Sequence, residues 1–233
     1  MGMTLFIVLA SCHPAPSPLS PAQVMNLELQ DQTGAPLASA GAPADNYTYA
    51  VIVDTLVDKS VLDTSTAVTF TTDNGAFSTG GTSCAAKFDQ TGKAYAYIRN
   101  KWATSAHVEA SVGTNFTLYI TVPFQTAWPD SIYLQFAGAV SDSFGSMVTF
   151  TTKLIRPLGT PTAGLQLGFY ARDTVGNPVA SAFNNITPSD TTGSVTAEFW
   201  PLVLNYKGFL MVTAFLVTVP GDTIKGQNRV LLH

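Results

Sequence analysis

The sequence predicts an all-β chain, organised as two tandem antiparallel β-sandwiches behind a short leader and tether. Three observations carry this. Alternating apolar and polar runs of about 6 to 10 residues are separated by Gly, Pro, Asn and Asp turn signals, with no amphipathic helix between them. Only 11% of the 233 residues are charged, against about 25% in ordinary soluble domains, while Thr and Val, branched at Cβ and suited to strands, are abundant. Finally, an Asp-x-Thr-Gly hairpin followed by an alternating strand pair occurs twice, at Asp89 to Ala110 and at Asp190 to Ala214.

Taken in order, Asn26–Asp31 alternates and reads as a first edge strand, and the Gly-, Pro- and Ala-rich stretch 33–44 reads as a loop. Strands follow at Tyr47–Asp54 and Ala67–Thr72, the second stopped by Asp73-Asn74-Gly75. After the short Ala76–Ser78 segment and the pair Gly80-Gly81, the turn Asp89–Gly92 launches Lys93–Arg99. In Ala106–Val112 the residues Ala106, Val108, Ala110 and Val112 share one face and His107, Glu109 and Ser111 the other. Phe116–Val122 repeats that pattern, and residues 123–129 close the first unit. The second unit runs through Asp130–Phe136, Met147–Ile155, Leu165–Arg172, the turn Asp173–Pro178, Ser194–Phe199, Gly208–Val219 and Asn228–Leu232.

The N-terminus carries a different signal. An apolar run from Leu5 to Ala10 is followed by Ser11 and Cys12, and Leu9-Ala10-Ser11-Cys12 resembles the lipobox of bacterial lipoproteins. That resemblance implies diacylation of the Cys12 thiol with palmitate-like chains and removal of residues 1–11 as a signal peptide. No Lys or Arg precedes the run, and a strand or helix start ending in cysteine is the plain alternative. Four prolines between Pro14 and Pro21 favour an extended spacer, so residues 12–24 read as a tether, 25–126 as the first sandwich and 127–233 as the second. The apolar run is far shorter than the about 20 residues a membrane span needs. With Cys12 acylated, Cys84 is expected as a free, half-buried thiol; a Cys12 to Cys84 bridge is the alternative.

The β units resemble the bacterial Ig-like domains of the invasin and intimin type. Their pattern of a Val-Thr-Phe strand, Gly-x-Phe-Ser, an Asp-x-x-Gly-x-Ala hairpin and a final Val-x-Ala strand is matched at Val68–Phe70, Gly75–Ser78, Asp89–Ala94 and Val108–Ala110. The second unit matches more loosely at Asp173–Val179 and Asp190–Ala197. The resemblance implies Ig-like sandwiches that present loops and edge strands to a partner, with no cofactor. The loop 100–105 departs from it by carrying Trp102 where small residues are usual, and Trp200-Pro201 interrupts the corresponding exit in the second unit. Both tryptophans are candidate ligand or partner contacts, and Trp128 reads as a filler between the units.

Little catalytic chemistry is on offer. The three histidines, His13, His107 and His233, are not at metal-ligand spacing, and His107 with Glu109 reads as ordinary outward strand polarity. The Asp-Gly turns present one or two carboxylates each, too few for calcium. A net charge of −4 with scattered Lys and Arg argues against nucleic acid. The triplets beginning at Asp54, Asp130, Asp173, Asp190 and Asp222 resemble an O-glycosylation sequon of exported bacterial proteins, which marks Thr55, Ser131, Thr174, Thr191 and Thr223 as candidate acceptors. Asn-x-Thr triplets stand at Asn46, Asn115 and Asn185.

Together these features lead to an expected non-catalytic lipoprotein of the bacterial outer membrane, on its cell-surface or periplasmic face, anchored through lipid on Cys12, with a protein partner in an outer-membrane assembly, a glycan as a further candidate, and an adhesive or structural accessory role. The alternative is a carbohydrate-binding accessory protein of a glycan-uptake system, which predicts Trp102 exposed beside other aromatics on a flat face. An enzyme would need a cleft where acid and base groups converge.

Overall fold

The computed structural model describes residues 19–57, 65–136, 147–202, 206–219 and 221–232. Cys12, His13 and His233 lie outside the described residues. The expected tether ends in a helical turn, α1 (Pro21–Val24), rather than continuing extended. Proline is pre-set for a first helical position, and Gln23 Oε1 accepts the Ser20 N–H at 2.8 Å.

The N-terminal part holds ten strands: β1 (Met25–Gln30), β2 (Ala42–Pro43), β3 (Ala50–Leu56), β4 (Ala67–Thr72), β5 (Ala76–Phe77), β6 (Ser83–Lys87), β7 (Lys93–Arg99), β8 (Ala106–Val112), β9 (Phe116–Val122) and β10 (Phe124–Gln125). One sheet has the order β1-β3-β7-β5 and the facing sheet β6-β4-β8-β9, while β10 and β2 form a short parallel ladder. The core between the sheets is supplied by alternate residues: Ala50, Ile52 and Leu56 from β3, Ala94, Ala96 and Ile98 from β7, Val68 and Phe70 from β4, and Ala106 to Val112 in steps of two from β8. β6 was not expected from sequence; its Cys84 and Ala86 pack half-buried against this core. Asp54 breaks the pattern, for it occupies a core-side position of β3 and is fully buried.

The C-terminal part has β11 (Ser131–Gln135), β12 (Val148–Ile155), β13 (Gly168–Arg172), β14 (Ser181–Asn184), β15 (Ser194–Pro201), β16 (Gly208–Val217) and β17 (Thr223–Leu232). They pair as β11-β12-β15-β14 and β13-β16-β17, all antiparallel. A separate core forms between these sheets, including Phe150, Leu154, Phe199, Leu210, Val212 and Val230. Phenylalanines dominate one end: Phe136 stacks on Phe150 at 4.6 Å and Phe169 on Phe183 at 5.5 Å, geometries that add to simple burial.

One hairpin turn recurs four times, beginning at Asp31, Asp89, Asp173 and Asp190. In each, the Asp carbonyl accepts the N–H of the residue three on, the glycine, and the Asp N–H donates to the carbonyl four on. Each Asp side chain also accepts backbone N–H groups of its own turn, such as those of Thr91 and Lys93 at 2.8 and 3.0 Å from Asp89. Glycine is required because Gly34, Gly92, Gly176 and Gly193 all have φ between 77° and 98°. The Asp31 copy, in Asp31-Gln32-Thr33-Gly34, lies at the junction of the expected first strand and the expected loop 33–44. At Asp173 and Asp190 this turn accounts physically for the Asp of the Asp-Thr pair.

Candidate ligand groove at the joint between the sandwiches

The two cores are joined by a polar seam. The segment between β12 and β13 runs back along the first sandwich, where the Thr162 hydroxyl donates to Ala44 O at 3.0 Å and accepts the Ala127 N–H at 2.7 Å. Asp45 accepts the N–H of Thr160 through its carbonyl at 2.8 Å. Its carboxylate takes the Tyr47 and Thr48 N–H groups and stands 3.7 Å from Arg156 Nη2. Arg156 Nη1 donates to Trp128 O at 2.7 Å, so Trp128 lies at the joint and packs half-buried against the second core. These groups are buried or half-buried, and paired polar groups in such surroundings fix geometry because an unpaired one costs about 1 to 3 kcal/mol.

Beside the seam lies an open groove of about 420 Å³, lined from the first sandwich by Asn46, Asp73, Asn74, Arg99, Lys101 and Trp102 and from the second by Thr191. The 100–105 loop is held from within. Asn100, 2% exposed, accepts the Lys101 and Trp102 N–H groups on Oδ1 at 2.8 and 3.1 Å and donates to Thr104 O at 3.4 Å. That side chain mimics a backbone turn and leaves the Lys101 and Trp102 side chains at the groove. Asn74 is likewise consumed by Thr104, Ser105 and the Gly75 N–H.

Trp102 is 42% exposed. A Cβ at Gly164, whose φ is +90°, would come within 3.3 Å of Trp102 Cζ3, so the Cζ3 side of the indole lies beside the backbone of the second sandwich. Arg99 donates from Nη1 to Asn46 O at 3.2 Å and lies 5.5 Å above the Tyr49 ring, which meets Tyr97 edge-on at 6.4 Å. Tyr95 and Tyr97 are 38% and 42% exposed on the outer face of β7. A continuous surface of Trp102, Arg99, Tyr49, Tyr97 and Tyr95 therefore leads from the groove onto the outer sheet face.

Of the residues singled out from sequence, Trp102 and Thr191 meet in this groove. Trp200 does not: it sits half-buried in β15 opposite Ala182, its indole Nε1 buried with no hydrogen-bond partner among the described residues. Ser131, Thr174 and Thr223 are exposed and lie apart, and Thr55 is half-buried in β3 between β1 and β7. The flat aromatic platform expected around Trp102 is absent from the groove lining, whose other members are polar, charged or small. Arg99, Asn46 and Tyr49 were not identified from sequence, since nothing in a strand-end Arg or a loop Asn marks a site.

His107 is exposed on β8, its Nδ1 3.1 Å from the Thr121 hydroxyl, and Glu109 points to the same outer side. Among the described residues no three His, Cys, Asp or Glu side chains converge on a common point. Cys84 is a free thiol, and burial pushes it up to about 11. No helix among the described residues is long and apolar enough to cross a membrane.

No family model matches the chain, and comparison with curated proteins finds no match. Solved structures do match. The adhesin InvE of Yersinia pseudotuberculosis superposes over 92% of this chain and 60% of its own, with a TM-score of 0.58 and 15% identity. Invasin, described as a bacterial integrin-binding protein, superposes over 86% of this chain and 38% of its own, with a TM-score of 0.56 and 20% identity. The chain thus spans less than two thirds of either. At these identities the likeness is one of backbone architecture: the chain has the Ig-like fold of the invasin and intimin type of bacterial adhesin.

Proposed function

We propose that this chain is a non-catalytic adhesive module in which two Ig-like sandwiches, residues 25–126 and 127–233, hold a partner-binding surface off the bacterial outer membrane through a lipid on Cys12. The observation that carries the reading is the run of Trp102, Arg99, Tyr49, Tyr97 and Tyr95 across the groove and outer sheet face. Tyr, Trp and Arg dominate the energetics of protein interfaces: Tyr and Trp bury a large area with little loss of conformational freedom, and Arg offers a planar, delocalised cation that stacks and donates several hydrogen bonds. The polar seam keeps the groove's two walls in register. Of the five hydroxyls marked for O-glycosylation, Ser131, Thr174 and Thr223 are accessible to a transferase, whereas a glycan on Thr191 would fill the groove.

A photoreactive residue introduced in native membranes at Tyr97, and separately at Tyr119 on β9, tests the partner surface. Tyr119 is 73% exposed but lies outside the aromatic run. A discrete protein adduct from position 97 and none from 119 is expected; adducts at neither, or equally at both, oppose the assignment. Independently, Cys12→Ala should move the protein out of the membrane fraction, and unchanged sedimentation would remove the lipid anchor.

A specific observation keeps the carbohydrate reading as a second one: Trp102 offers an exposed ring beside a groove large enough for a small ligand.

A further inference from the structure

We infer that the groove at the joint is a binding site for an acidic saccharide, with a sugar ring laid on Trp102 and its carboxylate held by Arg99 and Lys101. The inference builds on the reading of the chain as a binding module and adds a ligand class to it.

Size comes first. At about 420 Å³ the groove falls within the range of about 300 to 1,000 Å³ typical of small-ligand sites and exceeds what one amino-acid side chain of a partner would fill. Its walls are fixed before any ligand arrives. The Asn100 amide pins the loop that carries Lys101 and Trp102, the Ala163 N–H donates to Lys101 O at 3.0 Å, and Gly164 backs the indole. Little ordering remains to be done on binding, which favours affinity for a small, hydroxylated ligand.

Charge points to an acid. The only ion pair among the described residues joins Arg156 to Asp45, so neither Arg99 nor Lys101 is neutralised by a protein carboxylate. Arg99 Nη1 donates to a backbone carbonyl, Asn46 O, at 3.2 Å, a bond that leaves the guanidinium charge unneutralised. The single carboxylate of the lining, Asp73, already accepts the His107 N–H at 2.8 Å. Against that one carboxylate the lining sets two cations, Arg99 and Lys101, so the groove carries a net positive charge in a chain whose net charge is −4. A guanidinium and a neighbouring ammonium suit a carboxylate.

The remaining groups suit a sugar. Asn74 and Asn100 spend their amides on the loop itself, whereas the Asn46 side chain and the Thr191 hydroxyl line the groove and match ring hydroxyls. The exposed part of the Trp102 ring offers the apolar face on which a pyranose packs its C–H groups. An acidic peptide would use the cations but leave the width of the groove and the indole face unfilled.

The test is calorimetric titration of the whole chain with digalacturonate and with its dimethyl ester, which keeps the shape and removes the charge. Binding tighter than about 1 mM is expected for the acid, weakened at least about tenfold in the ester. Lys101→Gln and Trp102→Ala, both at exposed positions, should each weaken it by about tenfold with unchanged thermal melting, while Tyr119→Ala should leave it intact. Equal affinity for acid and ester, or binding indifferent to Lys101→Gln and Trp102→Ala, overturns the inference. So does absence of binding by digalacturonate, glucuronate and sialyllactose alike. If no saccharide binds but position 97 still yields a protein adduct, the saccharide inference falls and the adhesive reading stands.

Discussion

Asp54 is the most informative residue to perturb. It occupies a core-side position of the central strand β3, between Leu27 of β1 and Ala94 of β7, and it is fully buried. Neither carboxylate oxygen has a hydrogen-bond partner among the described residues. Burial raises its pKa from 3.8 to about 7, a change of about three units at about 1.4 kcal/mol each, so ionised Asp54 costs up to about 4 kcal/mol. The sign follows from proton counting. Between pH 4 and 7 the native state holds a proton that the unfolded state has released, so stability falls as pH rises through that window and levels off above about 7. Asp54→Asn keeps the shape and removes the charge, at the expense of an unpartnered amide worth about 1 to 3 kcal/mol. The variant should therefore be about 1 to 3 kcal/mol more stable than wild type at pH 8 and equal or less stable at pH 5, measured by urea unfolding. A wild-type protein as stable at pH 8 as at pH 5, with Asp54→Asn weaker at both, would refute the reasoning by revealing a group that compensates the buried charge.

Other predictions follow from the turns, the seam and the thiol. Asp31, Asp89 and Asp173 are held below the usual carboxylate range by the side chains of Thr33, Thr91 and Asn177 and by turn N–H groups. At Asp190 burial pushes upward, but the Ser194 N–H, Thr192 and Lys153 outweigh it. Lowered carboxylates stabilise above their unfolded pKa and lose that contribution as pH falls through about 4 and below, so circular dichroism should show maximal stability near about pH 4 to 5 and acid unfolding beneath it. Asp89→Asn should flatten the acid limb; an unchanged limb would assign it to other groups. Thr162→Val strips partners from the Ala44 carbonyl and the Ala127 N–H at the joint. It should cost about 1 to 3 kcal/mol and raise hydrogen exchange at Ala127, and unaltered exchange there would show that the seam does not depend on it. Cys84, packed against the core with its thiol raised to about 11, should react with iodoacetamide at pH 8 slowly when folded and rapidly in urea; equal rates would place it at the surface.

The strands were legible where alternation ran through seven residues, as in β7, β8 and β9, whose bounds coincide with the sequence reading. β6 escaped because Ser83-Cys84-Ala85-Ala86-Lys87 alternates only between small residues. The β2 and β10 ladder escaped because it pairs Ala42 with Phe124 across the length of the sandwich, and no local pattern encodes such a contact. Asp54 read as the polar end of an apolar run. Only the register against β1 and β7 places it on the inward face, and a shift of one residue would have turned it to the opposite face of the sheet. At the site, Trp102 stood out because a large aromatic in a short loop needs a reason. The groove around it was not legible, since it depends on the 159–165 segment returning to Asp45 and Lys101.

The claim that the aromatic and cationic surface at the joint is what the chain binds with is tested most directly by whole cells. A Tyr95→Ala, Tyr97→Ala, Trp102→Ala triple variant, displayed at wild-type level and melting within a few degrees of it, should lose attachment to the native surface by at least about tenfold, as expected when several hot-spot side chains are removed together. Attachment equal to wild type would place the adhesive surface elsewhere on the chain.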